Sequence, residues 1–186
     1  PAILDLDAAE REGSYHAEGP RFARGDVAAA LASSPRTLRG RVETAAQEHL
    51  YLETQAAFAE TDDAGHVSVV ATTQNPTEVQ AIVAELLDLP RSHVVVTAPR
   101  LGGGFGGKET QTNPFAAMAA LAAFHTGRPS RLVLPRAVDV QLTGKRHPFR
   151  ADFEAGFAED GTLRALRVAL TSNGGFSLDL SGAILE

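Results

Sequence analysis

The 186-residue chain contains no cysteine. That excludes disulfides, thiolate nucleophiles, zinc-thiolate sites and iron-sulfur clusters built from its own side chains. If a redox centre sits here, another domain has to carry its electrons away. Lysine occurs only at Lys108 and Lys145, and a net charge of -6 leaves no basic footprint for nucleic acid. No apolar run is long enough to cross a bilayer, and Pro1-Ala2-Ile3-Leu4-Asp5-Leu6-Asp7 lacks the basic start and apolar centre of a signal peptide. These features predict a cytoplasmic chain with no membrane partner. The six histidines are scattered with no two at metal-ligand spacing, so structural roles are expected of them. Repeats, low-complexity tracts and flexible linkers are also missing.

What is present is a composition of 44% hydrophobic and 22% charged residues, that of a globular protein with a core. The sequence starts with Pro1 and ends at Glu186 after an apolar stretch, so it reads as a segment of something longer. Its centre is Thr97-Ala98-Pro99-Arg100-Leu101-Gly102-Gly103-Gly104-Phe105-Gly106-Gly107-Lys108-Glu109-Thr110, with five glycines in six positions. Such a loop exposes backbone, and its successive N-H groups can converge on an anionic or polar ligand. Gly102, Gly107 and Lys108 satisfy a phosphate-loop spacing, but Glu109 stands where Ser or Thr should hold magnesium. Gly102, Gly104 and Gly107 satisfy a dinucleotide spacing, yet no acidic residue lies between Thr110 and Val138 to take a ribose hydroxyl. A nucleotide-phosphate binder is therefore one alternative, and a noncatalytic assembly module is another.

Along the chain, an irregular extended arm is expected over residues 1–25, followed by a short helix at Val27–Ala32 capped by Asp26; residues 1–36 form one segment and 37–186 the domain proper. Alternation predicts strands over Thr37–Thr44, Leu50–Glu60 and His66–Thr72, in a small antiparallel sheet. A helix is expected from Pro76 to Leu89 and a strand over His93–Thr97 that feeds the glycine loop. The next helix, Asn113–Thr126 with Asn113 as N-cap, has Phe115, Met118, Leu121 and Ala122 as its apolar side. Arg131–Leu134 reads as a strand before a polar bend, and Glu159-Asp160-Gly161 as the turn of a hairpin joining Phe149–Ala158 to Thr162–Ser172. The fold class is α+β, a mixed or antiparallel sheet with packed helices.

The loop Arg100-Leu101-Gly102-Gly103-Gly104-Phe105-Gly106-Gly107-Lys108-Glu109 resembles the molybdopterin loop of the xanthine dehydrogenase and aldehyde oxidase family. The resemblance extends through Gln47-Glu48-His49-Leu50-Tyr51-Leu52-Glu53-Thr54, Ser68-Val69-Val70-Ala71-Thr72-Thr73-Gln74-Asn75, Leu142-Thr143-Gly144-Lys145-Arg146-His147-Pro148-Phe149, Ser172-Asn173-Gly174-Gly175 and Asp179-Leu180-Ser181, and is thinnest before Arg36. It implies an incomplete molybdopterin-binding domain of that type. It further implies a molybdenum-molybdopterin cofactor, with 2Fe-2S, FAD and NAD on other domains or chains, in a hetero-oligomer or homodimer of the whole enzyme. By the same resemblance Gln74 and Phe105 lie near the molybdenum without ligating it, and Gly103, Gly104, Gly106 and Gly107 give the cofactor close approach. Glu109 matches the glutamate that hydrogen-bonds a purine, where aldehyde-oxidising relatives commonly have an apolar residue. The implied reaction hydroxylates hypoxanthine- or xanthine-type purines with oxygen from water. Its catalytic base lies farther toward the C-terminus, which leaves no catalytic residue in this chain, and the chain alone is expected to be inactive.

Overall fold

The computed structural model describes residues 2–185 and divides into two compact units. One comprises Pro1–Gln47 and His147–Glu186, the other Glu48–Arg146. The expected boundary between residues 36 and 37 falls at the start of β1, inside the first unit.

The first unit contains helices α1 (Leu6–Glu12) and α2 (Val27–Ala32), strands β1 (Arg36–Thr44), β6 (Phe149–Phe157) and β7 (Leu163–Ser172), and a last turn α6 (Ser181–Leu185). The three strands form an antiparallel sheet in the order β1-β6-β7. The β6–β7 hairpin turns where Asp-Gly predicts, with Gly161 at φ 86° and the Ala158 amide 2.9 Å from the Thr162 carbonyl. Register splits the sheet into two chemically opposite faces. On one, Arg39 and Arg41 pair across to Glu154 and Asp152 at 2.7 Å each. On the other, Leu38, Gly40 and Val42 lie beside Ala155, Phe153 and Ala151, which lie beside Leu166, Val168 and Leu170. Leu38, Val42, Leu166, Val168 and Leu170 remain exposed.

Helix α1 forms where an irregular arm is expected. Its signal is local rather than periodic: the Asp5 carboxylate accepts from the Ala8 amide at 2.8 Å, and Gly13 closes the helix at φ 64°. It buries no residue and is tied down through the buried Arg150, which pairs with Asp7 at 2.6 Å and with Glu10.

The second unit carries β2 (Ala56–Thr61), β3 (Val67–Ala71), α3 (Pro76–Leu86), β4 (Val94–Thr97), α4 (Asn113–Thr126), β5 (Ser130–Val133) and α5 (Arg136–Leu142). Strand order is β4-β3-β2-β5. The sheet is mixed rather than purely antiparallel, because the α3 crossover brings β4 back parallel to β3. A core of Ala57, Ala59, Val67, Val69 and Ala71 from β2 and β3 meets Val79 and Val83 from α3 and Ala116, Ala119, Ala120 and Ala123 from α4.

Helix α4 has the expected bounds but turns a different face inward. Phe115 is buried, whereas Met118 and Leu121 are exposed, and alanines line the buried side. The strands beneath present alanine too, so the helix approaches on its smallest side chains and longer ones have no room there. Thr112 rather than Asn113 stands at the N-cap, with its hydroxyl committed elsewhere. The polar bend expected before His147 contains helix α5. The strand expected from Leu50 begins only at Ala56, since Leu50 takes φ 50° and the buried Tyr51 and Gln55 turn inward to polar partners. Among the described residues no helix is long and apolar enough to cross a membrane.

Candidate functional site

The glycine loop runs from the end of β4 to the start of α4, entirely within the second unit. It is tied at three places. At its entrance, the Gly102 amide donates to Glu53 Oε2 at 2.8 Å and the Glu53 amide to the Gly102 carbonyl at 3.0 Å. In its middle, Gln74 Oε1 accepts from the amides of Gly106 and Lys108 at 3.1 Å each. At its exit, Gln55 Nε2 donates to the Gly107 carbonyl at 2.9 Å. Gln74 sits between β3 and α3, and its own amide reaches the Lys108 carbonyl at 2.8 Å. With its side-chain oxygen taken by the loop, its NH2 group is the end left to meet a ligand.

Several glycines are required by packing as well as by backbone exposure. A Cβ built on Gly104 would lie 2.4 Å from Gln74 Oε1, and one on Gly107 would lie 2.7 Å from His49 Cγ and 2.8 Å from Tyr51 Cε1. Phe105 stands at φ 54° and is 63% exposed, so it does not anchor the loop in the core. Glu109 is half-buried, and its Oε1 would be 3.9 Å from a Cβ on Gly106, the residue whose amide Gln74 holds. The structure thus brings Gln74, Gly106 and Glu109 together. Among the described residues, the amides of Gly103, Gly104 and Phe105 donate to no protein acceptor.

Beneath the loop lies a buried polar cluster that sequence reading missed. Tyr51, Gln55, Lys108, Thr112 and Asp139 are all within 1% of fully buried. The Tyr51 hydroxyl donates to Asp139 Oδ1 at 2.5 Å, Gln55 Nε2 donates to Tyr51 Oη at 3.0 Å, and the Gln55 amide donates to Asp139 Oδ2 at 2.6 Å. Thr112 Oγ1 lies 2.6 Å from Gln55 Oε1. Burial, helped by the bond to Asp139, pushes the Tyr51 hydroxyl up to about 12, so it stays a donor throughout the physiological range.

Lys108, which closes the glycine run, points down into this cluster and is fully buried. Its Nζ is 3.4 Å from Glu53 Oε2 and 4.7 Å from the Tyr51 ring centre, and burial lowers its pKa against the pull of Glu53. A phosphate-loop lysine has to reach the ligand's phosphates, which this one does not do. Two further carboxylates brace the same region: Glu53 closes the loop entrance, and Glu48 lies 3.0 Å from Lys145 Nζ. The signal that could have found them is the stretch Gln47–Thr54, where Tyr51 and Glu53 interrupt an apolar alternation with groups that need partners once buried.

His49, against Gly107, has a pKa lowered from 6.5, first by burial and then by Arg146. As pH falls the unfolded chain protonates at this position before the folded one does, so folding loses stability below about pH 6.5 and levels off once the folded ring is also charged. Thermal midpoints of wild type and His49→Phe should therefore separate between about pH 7.5 and 5.5, with wild type losing more; parallel curves would show that the ring titrates as in the unfolded chain.

The loop thus carries main-chain amides that donate to no acceptor among the described residues, steadied from below by buried side chains. Residues 9–186 match the family described as Molybdopterin cofactor-binding domain. Curated relatives include a xanthine dehydrogenase of Drosophila pseudoobscura pseudoobscura, 42% identical over 100% of this chain, and a xanthine dehydrogenase/oxidase of Mus musculus, 40% identical over 100%. This chain covers 14% of the length of each. Among solved structures, quinoline 2-oxidoreductase from Pseudomonas putida 86 has a TM-score of 0.71 at 27% identity, covering 80% of this chain and 19% of that one. Aldehyde oxidoreductase from Desulfovibrio gigas has a TM-score of 0.69 at 28% identity, covering 80% of this chain and 16% of that one. The fold is thus that of a molybdopterin-binding domain. The chain belongs to the xanthine dehydrogenase and aldehyde oxidase family of molybdenum oxidoreductases.

Proposed function

We propose that the protein carrying this chain is a molybdenum hydroxylase that oxidises hypoxanthine- or xanthine-type purines, and that this chain forms part of its molybdopterin site. The observation that carries the reading is the convergence at Gly106: its amide is held by Gln74 Oε1 at 3.1 Å, and the Glu109 carboxylate lies on its open side. The residues fit the cofactor, because the amides of Gly103, Gly104 and Phe105, which have no acceptor among the described residues, match a group rich in phosphate, oxo and sulfur acceptors. Gln74 and Phe105 would border the metal without ligating it, and Gly106 and Gly107 would let backbone come close. When bound, the cofactor supplies the two-electron oxidation, with oxygen drawn from water.

This chain's own contribution is to bind and orient. Glu109 presents a carboxylate to the nitrogen-rich edge of a purine, and a hydrogen bond to a charged group discriminates strongly against a substrate that cannot make it. The catalytic base and the 2Fe-2S, FAD and NAD sites belong to the rest of the protein or to partner chains. The 186 residues alone should not reduce a dye with a purine.

The test uses the full-length holoenzyme. Metal analysis should find molybdenum, and xanthine should drive reduction of NAD or an artificial dye. Glu109→Val should lower kcat/KM for xanthine by about 10- to 100-fold while sparing aldehyde oxidation. A metal-free protein, or a variant with undiminished xanthine turnover, would overturn the assignment.

A further inference from the structure

We infer that Asp139 is a positioning residue: acting through Tyr51 and Gln55, it sets the register of the glycine loop and hence the placement of its open amides and of Glu109. The inference deepens the proposed function and rests on that reading for its bearing on purine binding, but the geometry stands without it. Asp139 lies on α5, 32 positions beyond Gly107, and is fully buried. As a carboxylate it accepts and cannot donate, and that one-sidedness propagates.

Oδ1 accepts the hydrogen bond of the Tyr51 hydroxyl, which leaves the lone pairs of Tyr51 Oη to accept from Gln55 Nε2. Oδ2 takes the main-chain amide of Gln55, which fixes the backbone from which that side chain projects. The second Nε2 hydrogen of Gln55 is then directed to the Gly107 carbonyl, while its Oε1 faces the Thr112 hydroxyl at the start of α4. The Tyr51 hydroxyl is the one member of this relay that can either donate or accept, and Asp139 fixes it as donor to Oδ1 and acceptor from Gln55; the Thr112 hydroxyl, shared between Gln55 Oε1 at 2.6 Å and the Thr72 carbonyl at 3.0 Å, closes the far end. Thr143 Oγ1, 2.7 Å from the Asp139 carbonyl and 3.4 Å from Oδ1, braces the same turn of α5. The relay ends at Gly107, adjacent to Gly106 and two residues before Glu109.

Asparagine at this position has nearly the same shape but cannot satisfy both neighbours. With its oxygen toward Tyr51, its NH2 group opposes the Gln55 amide; with its oxygen toward Gln55, the NH2 group enters the Tyr51 hydroxyl from the wrong side. Either way a buried donor is left over, and the strain is passed to the Gly107 carbonyl.

The experiment is amide hydrogen exchange on the full-length protein, for wild type, Asp139→Asn and Tyr51→Phe, with Gly40→Ala as a destabilised control in the other unit. Gly40→Ala is suitable because its new Cβ would meet Phe153 Cζ at 2.7 Å, with both residues in the unit that does not hold the relay. Asp139→Asn and Tyr51→Phe should speed exchange at Gly106, Gly107 and Lys108 about tenfold while the amides of β2 and β3 keep wild-type protection. In the loaded enzyme the same two variants should raise the xanthine KM about three- to tenfold with kcat little changed, and Gly40→Ala should do neither. Faster exchange spread evenly over the whole unit, or loop protection equal to wild type in both relay variants, would overturn the inference. Should Asp139→Asn fail to fold, Tyr51→Phe decides alone. If wild type holds no molybdenum or ignores purines, the proposed function fails while the exchange result still decides the relay.

Discussion

Gly104→Ala should cost the full-length protein most of its molybdenum while leaving its fold in place. The new methyl would sit 2.4 Å from Gln74 Oε1, 2.6 Å from Cδ and 2.9 Å from Cγ, so the carboxamide has to move. In moving it gives up two hydrogen bonds, those from the amides of Gly106 and Lys108. At about 1 kcal/mol net for each bond, the loop loses roughly 2 kcal/mol of organisation, equivalent to about a 30-fold weaker hold on the cofactor. Gly104 is not at positive φ, so the effect is steric displacement and not backbone strain. Metal content per protein, read beside far-ultraviolet circular dichroism, checks this. Full molybdenum occupancy in a folded Gly104→Ala protein would show that Gln74 does not hold the loop in its binding form.

Gly107→Ala should act on stability instead. Its Cβ would meet the His49 ring at 2.7 Å and the Tyr51 ring at 2.8 Å, and neither ring is the free end of a flexible side chain. Tyr51 is fixed by Asp139 and Gln55, and Arg136 Nη2 donates to the Tyr51 carbonyl at 2.6 Å beneath it. Relief therefore requires backbone movement, and overpacking of this kind costs about 1–3 kcal/mol. The midpoint of urea unfolding should fall accordingly, with no change in its slope. An unaltered midpoint would mean that the loop exit is slack enough to absorb a methyl group.

These two substitutions rest on different parts of the sequence-level reading. Gly104 belongs to a pattern legible at once, because a run of glycines between a β-branched segment and an alanine-rich one announces a backbone-lined loop. Strands β1, β3, β6 and β7 and helices α2, α3 and α4 were legible for similar local reasons: alternation, an Asp-Gly turn, Pro at a first helical position. Gly107 belongs to what was hidden. Its neighbours His49, Tyr51 and Gln55 are 58, 56 and 52 positions away, Asp139, which holds two of them, is 32 positions away, and no local period links them. Helix α5 was obscured because the buried residue it supplies is an aspartate, which reads as a solvated bend until its partners are known. Met118 and Leu121 misled for the opposite reason: size suggests burial, but fit against an alanine-faced sheet decides which side of α4 turns inward.

The sheet β1-β6-β7 has one face held by ion pairs and another of Leu38, Val42, Leu166, Val168 and Leu170 open to water. A patch of that kind orders solvent at a free-energy cost, and any apolar surface that comes to rest against it releases that solvent. For these 186 residues produced on their own, the same face is a template for sticking chain to chain. Solubility would then bear directly on whether the loop can be studied in these 186 residues by themselves.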